Sequence, residues 1–343
     1  MKAMPIGRSA PRLGGRVRIA AGCTVAAMLL AGCSVFGGSS SSGSAPAGTS
    51  ITVAAVPGVG DAPLYVAWER GLFRQHGLTV HLRSYKTMAQ VMTALHSGQA
   101  NVAVGDYADF FYEQENDASA PMVVVADAYD ASPNIMNVLV SPDSPITDPQ
   151  GLRGKTIGTA EPQVMPDNLP GLPFSLETVA ASSALDNDGV QPSQVKWLPM
   201  PANELVTALR THRVAAILAT EPEIFQAESE IGARTILDAC SGQTVNLPLD
   251  GYFAPRSFAE NHRAALLAFR SAMTRAQADA VQPAPLEAVL RHYAGMSRQT
   301  ASLITVGQYP TALKVTSLQR VANLMSFYGA LAHPLVVSRM LLP

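Results

Sequence analysis

Residues 91–111, VMTALHSGQANVAVGDYADFF, and residues 205–225, LVTALRTHRVAAILATEPEIF, align without a gap at an offset of 114. Thr93, Ala94, Leu95 and Phe111 meet Thr207, Ala208, Leu209 and Phe225. Each copy reads as a helix, a tight turn, a short buried strand, and a polar loop leading into another helix. A unit repeated once at this distance constrains the chain to two parts of similar local architecture.

The sequence around each copy follows the same alternation. Residues 51–56 form an apolar run of strand type, broken by Pro57, Gly58 and Gly60. Leu64, Ala67, Trp68, Gly71 and Leu72 then fall on one helical face. Pro63 suits the first turn of that helix, and Asp61 or Ala62 its cap. Val80 and Leu82 alternate as in a strand. Met88, Val91, Met92 and Leu95 form a second helical face closed by Gly98, and strands follow at 102–104 and 122–126. The second series has strands at 155–158, 195–198 and 214–218, with helices at 174–185 and 204–210. Such alternation predicts an α/β fold: mainly parallel sheets with helices on both faces. The last ninety or so residues are helix-rich, opening with a Ser257–Glu260 pattern of the capping-box kind.

Residues 2–18 carry Lys2, Arg8, Arg12, Arg16 and Arg18 and no acid, and an apolar run of signal-peptide length follows at 19–31. It ends in Leu30-Ala31-Gly32-Cys33, which resembles the lipobox of bacterial lipoproteins. This implies lipid attachment at Cys33 and a palmitate-type anchor on the extracytoplasmic face of the cell membrane. Residues 37–50 are almost entirely Gly, Ser, Ala, Pro and Thr and read as a tether with a reach of roughly 20 Å. Cys23 leaves with the leader and Cys33 is modified, so Cys240 remains alone, with no intrachain disulfide partner. The whole chain has 24 basic and 26 acidic residues. Without the five basic residues of the leader the balance is 19 to 26, a net charge of −7 that argues against nucleic acid as a partner.

The expected organisation is a lipoprotein signal peptide at 1–32, a tether at 33–50, a first lobe at 51–140 and a second at 141–248. Residues 249–343 return to the first lobe and end in helices. The protein is expected to be a monomer whose hinges lie near 136–141 and 245–253. Open α/β lobes take their ligands at the carboxyl ends of the strands. The loops there nominate Gly60, Asp61, Tyr65, Tyr85, Asp106, Tyr107, Asp127 and Tyr129 in the first lobe. Glu161, Thr220 and Glu221 belong to the second, and Asp250 and Tyr252 to the returning segment.

Residues 63–83, PLYVAWERGLFRQHGLTVHLR, resemble the opening signature of the binding proteins for sulfonates, taurine, nitrate and thiamine-pyrimidine precursors. LHSGQANVAVGD at 95–106, SPITDPQGLRGKTIG at 144–158 and the closing Ala219-Thr-Glu-Pro222 are similar to the same superfamily. The resemblance implies a two-lobed, type II periplasmic-binding fold and delivery of a small molecule to an ABC permease. It also admits two alternatives: an enzyme of the same fold acting on a pyrimidine or related metabolite, and a sensory binding lipoprotein.

The nominated loops are rich in carboxylates, and only Lys86 supplies a cationic side chain. That composition favours an amine-bearing or neutral ligand, stacked on tyrosines, over a sulfonate or nitrate. Each acid also has a structural role open to it, Asp61 and Asp106 as helix caps and Asp127 in a turn. Gly58-Val-Gly60-Asp-Ala-Pro63 has Pro where a dinucleotide loop has Gly, and the histidines do not cluster. No cofactor, metal or catalytic residue is expected.

Overall fold

The computed structural model describes residues 48–117, 119–160 and 175–342. The leader, Cys33, most of the tether and Glu161 lie outside the described residues. In chain order the first series is β1 (Thr49–Ala55), α1 (Ala62–Glu69), α2 (Leu72–Gln75), β2 (Leu78–Ser84), α3 (Met88–His96), β3 (Val102–Asp106), α4 (Tyr107–Asn116) and β4 (Met122–Asp130). The second is β5 (Met136–Val140), β6 (Thr156–Ala160), α5 (Leu176–Asn187), β7 (Lys196–Met200), α6 (Leu205–Arg210), β8 (Ala216–Thr220), α7 (Glu223–Ile231) and β9 (Arg234–Asp238). There follow β10 (Pro248–Pro255), α8 (Arg256–Asn261), α9 (Arg263–Ala280), α10 (Pro283–Tyr293), α11 (Arg298–Leu303) and α12 (Val315–Phe327).

These strands form two five-stranded sheets, one per lobe, ordered β2-β1-β3-β10-β4 and β7-β6-β8-β5-β9. Position by position the two orders correspond. In each, the fourth strand runs antiparallel to both its neighbours. The offset of 114 holds at both ends of β3 and β8, the third strand of each sheet. Right-handed crossovers on these orders put α1 and α3 on opposite faces of the first sheet, and α5 and α6 on opposite faces of the second. β4 packs against α8 and α9, and β5 against α5 and α7, and both strands are buried along their whole length.

The chain passes between the sheets at residues 131–135 and again at 239–247. The C-terminal segment spans both lobes: α12 packs on α4 and on α5. Gln308 and Asp130 exchange backbone hydrogen bonds, each of 2.9 Å.

Two local expectations need correction. The helical face from Leu64 to Leu72 is not one helix. Gly71 takes a left-handed conformation, φ 64°, and breaks it into α1 and α2. The Ser257–Glu260 capping box is absent, because Ser257 lies inside α8 and the cap position is Pro255, with no side-chain cap. Arg256 N–H donates to the Pro121 carbonyl at 2.8 Å, which starts the helix directly where β10 ends. No helix among the described residues is long and apolar enough to cross a membrane.

Candidate functional site

Strand direction decides what faces the gap between the lobes. In the first sheet the carboxyl ends of β1, β2 and β3 deliver Val56–Asp61, Lys86–Met88 and Gly105–Asp109. β10 runs the other way, so its amino end arrives at the same edge and brings Asp250 beside Asp106. The second sheet mirrors this with Ala160 at the end of β6, Thr220 at the end of β8 with Glu221 after it, and Met136 at the start of antiparallel β5.

Two adjoining cavities fill this edge. The larger, of about 340 Å³, is lined by Gly58, Gly60, Asp61, Lys86, Asp106, Asp109, Glu177 and Asp250, among others. Val56, Met88, Val104 and Ala160 supply apolar wall. The smaller, of about 150 Å³, shares Gly60, Asp106, Glu177 and Asp250 and adds Tyr129, Met136, Thr220, Glu221 and Leu249. Both therefore draw residues from both lobes.

Each carboxylate has a readable setting. Asp61 is 5% exposed; its Oδ1 accepts from the Gly58 N–H at 2.7 Å, while its Oδ2 has no partner among the described residues. It stands at the cap position of α1 but does not cap the helix with its side chain. Burial, with Asp250 nearby, raises its pKa well above the ordinary carboxylate range. The Asp106 side chain does cap α4, accepting from the Ala108 N–H at 2.6 Å. Its pKa is raised by burial and by the charges of Glu177, Asp109 and Asp250. Burial and Glu177 push Asp109 up to about 7. Asp250 also rises to about 7, through burial and then Glu177 and Asp109. Glu221 accepts backbone N–H groups from Phe225 and from Thr305, both at 3.1 Å, and its pKa is raised by burial.

Gly60 is required for close approach: a Cβ there would overlap the Asp250 carboxylate. Tyr129 borders the smaller cavity, and its hydroxyl accepts from the Gly307 N–H at 2.6 Å.

Among the nominated residues, Gly60, Asp61, Asp106, Tyr129, Thr220, Glu221 and Asp250 line the cavities. Tyr65, Tyr85, Tyr107, Asp127 and Tyr252 do not. Tyr65 stacks on Tyr293 at 4.3 Å. Tyr85 packs, half-buried, against the core. The Tyr107 hydroxyl donates to Asp127 at 2.9 Å, and the Tyr107 ring covers Gly251. Tyr252 lies edge-on to Phe269 in the first-lobe core. Cys240 is buried, and burial pushes its thiol up to about 12.

Glu177 was not nominated by sequence, nor was Ser175 beside it, which lines the larger cavity. The available signal was the Ser175–Thr178 spacing, a reciprocal cap that starts α5 at the cleft.

Two lobes with matching strand orders, open toward each other at the strand ends, define a periplasmic-binding-protein fold. The family model described as NMT1/THI5 like matches residues 60–288, 229 of the 343 residues. The chain belongs to that family. Its fold is similar to that of the periplasmic aliphatic sulphonate binding protein SsuA from Escherichia coli. The two share 16% identity over 86% of this chain and 97% of that one, with a TM-score of 0.69. The periplasmic nitrate-binding protein NrtA from Synechocystis PCC 6803 gives 12% identity over 84% and 83% of the two chains, at a TM-score of 0.62. The desulfurization enzyme DSZB gives 16% over 85% and 96%, at 0.64. No curated protein sequence matches the chain.

Proposed function

We propose that this protein is an extracytoplasmic solute-binding lipoprotein that holds a small organic molecule between its lobes and delivers it to an ABC importer. The observation that carries the reading is the pair of cavities lined from both sheets at the strand ends. Closing two lobes on a ligand gives a permease a shape that differs from the empty one. Membership of the NMT1/THI5 like family supports the reading. So does the likeness in fold to SsuA, an aliphatic sulphonate binding protein, and to NrtA, a nitrate-binding protein. The acid-rich lining supports an amine-bearing or neutral ligand here. Cys33 carries the lipid, and the tether gives the lobes freedom to reach the permease.

Two measurements test this. The purified chain is exposed to a small-molecule extract, washed and denatured, and the released compound is identified by mass spectrometry. An unaltered compound is expected, and a chemically changed one would point to an enzyme on this fold instead. Small-angle scattering with that compound should show a smaller radius than without it. An unchanged radius at saturation counts against a closing clamp. For the anchor, Cys33→Ala should abolish incorporation of labelled palmitate and release the protein from membranes.

A further inference from the structure

We propose, resting on the solute-binding reading above, that the cleft is built for a small organic cation bridging carboxylates of the two lobes: Asp106, Asp109 and Asp250 from the first and Glu177 from the second. All four line one cavity of about 340 Å³, and Asp61 joins them there.

The charges around this cavity are unbalanced. Lys86 is the one basic side chain among its described lining residues, and it is exposed, with no ion pair among the described residues. Asp61 is nine-tenths buried and keeps Oδ2 without a partner. An acceptor left in that state costs free energy until a donor arrives. Glu221, in the neighbouring cavity, differs because each of its oxygens already holds a backbone N–H. The unmet demand for positive charge is therefore concentrated in the larger cavity.

The spacing of the acids selects the kind of cation. Among the described residues, no three acidic, histidine or cysteine side chains converge closely enough to hold a metal ion. Carboxylates distributed around a chamber suit a ligand with an extended body and ammonium-type donors. Val56, Met88, Val104 and Ala160 offer that body an apolar wall. The division of the acids between lobes also couples binding to shape. Glu177 repels the first-lobe carboxylates when the cleft is empty. A cation between them converts the repulsion into a bridge, so it favours the closed arrangement.

The test uses the full chain, purified in detergent, with titration calorimetry at pH 8. Putrescine and butylammonium serve as organic cations, methanesulfonate and nitrate as anions, and calcium chloride as the metal alone. Putrescine is expected to bind, and Glu177→Gln and Asp109→Asn are each expected to weaken it by at least about tenfold. Thermal melting of both unliganded variants checks that they fold. Calcium binding more tightly than either amine would overturn the proposal. So would an anion binding where the amines do not, or putrescine binding undiminished in both variants. Binding and compaction with an anion would refute the cation alone and leave the solute-binding reading standing. If no probe binds, the cation proposal fails, and the solute-binding reading still rests on the extract and scattering experiments.

Discussion

Asp106 performs two tasks with one carboxylate, and substitution can separate them. Oδ1 caps α4 through the Ala108 N–H, and the same side chain borders both cavities. Asp106→Asn keeps an acceptor for the cap and removes the charge. It should weaken an amine ligand by about tenfold or more while leaving thermal stability intact or raised. Asp106→Ala should lose affinity and, in addition, about 0.5–2 kcal/mol of stability from the lost cap. Equal melting temperatures for the two variants would show that the cap contributes nothing. Glu221→Ala should act differently, because it strips acceptors from Phe225 and Thr305. A cost of about 1–3 kcal/mol is expected in denaturant titration.

Asp61, Asp106, Glu221 and Asp250 were visible in the sequence because they stand in or beside short polar segments at the strand ends, whereas Glu177, in the first turn of α5, was not. The tyrosines misled for a packing reason. Tyr107 and Tyr252 carry hydroxyls near nominated loops, yet their rings fill space beside Gly251 and Phe269. A sequence shows that a large ring stands next to a cleft loop, but the neighbouring side chains decide which way it turns.

At the scale of elements, the start of α5 carries the second lobe's charged contribution to the larger cavity. Ser175 accepts from the Thr178 N–H at 3.3 Å, and Thr178 Oγ1 accepts from the Ser175 N–H at 3.0 Å. This reciprocal cap fixes the first turn, and with it the position of Glu177. Ser175→Ala should cost about 0.5–2 kcal/mol in denaturant unfolding and also weaken ligand binding, although Ser175 bears no charge. Loss of stability with unchanged affinity would mean that Glu177 is positioned by something else. The strand–helix series of both lobes was legible because each unit is local, and the offset of 114 survived into matched strands. The antiparallel strands β5 and β10 were not, since their partners lie far away in sequence and nothing local states a pairing. Residues 136–140 are paired on both sides within the second sheet. Bending is therefore expected at 131–135 and 239–247, where the chain passes between sheets, and hydrogen exchange should be fastest there.

Across the whole molecule, the crowded carboxylates tie stability to pH. Asp109 and Asp250 hold protons up to about 7 in the folded state, against 3.8 as the ordinary value. Between those limits the native state binds more protons than the unfolded one, so stability falls as pH rises. Roughly three pKa units correspond to a few kcal/mol for each group, and the groups share the effect because they interact. The lowered pKa values of Asp117 and Asp143 act below pH 4 and leave this window alone. The unliganded protein should therefore melt at a higher temperature at pH 5.5 than at pH 8. A bound amine should reverse that trend, because it pairs with the ionised form. A melting temperature that rises with pH in the unliganded protein would contradict the assignment.

The two passages between sheets also set an order of assembly. The second sheet is drawn from one uninterrupted stretch, residues 136–238. The first cannot be completed until β10 inserts between β3 and β4, more than a hundred residues after β4 has left the ribosome. A chain emerging amino end first must hold β1 to β4 with a gap in the sheet while the second lobe closes ahead of them. Nascent chains ending at residue 247 should thus resist protease over 136–238 and be cut readily within 49–130. Chains extended through residue 280 should be protected in both regions.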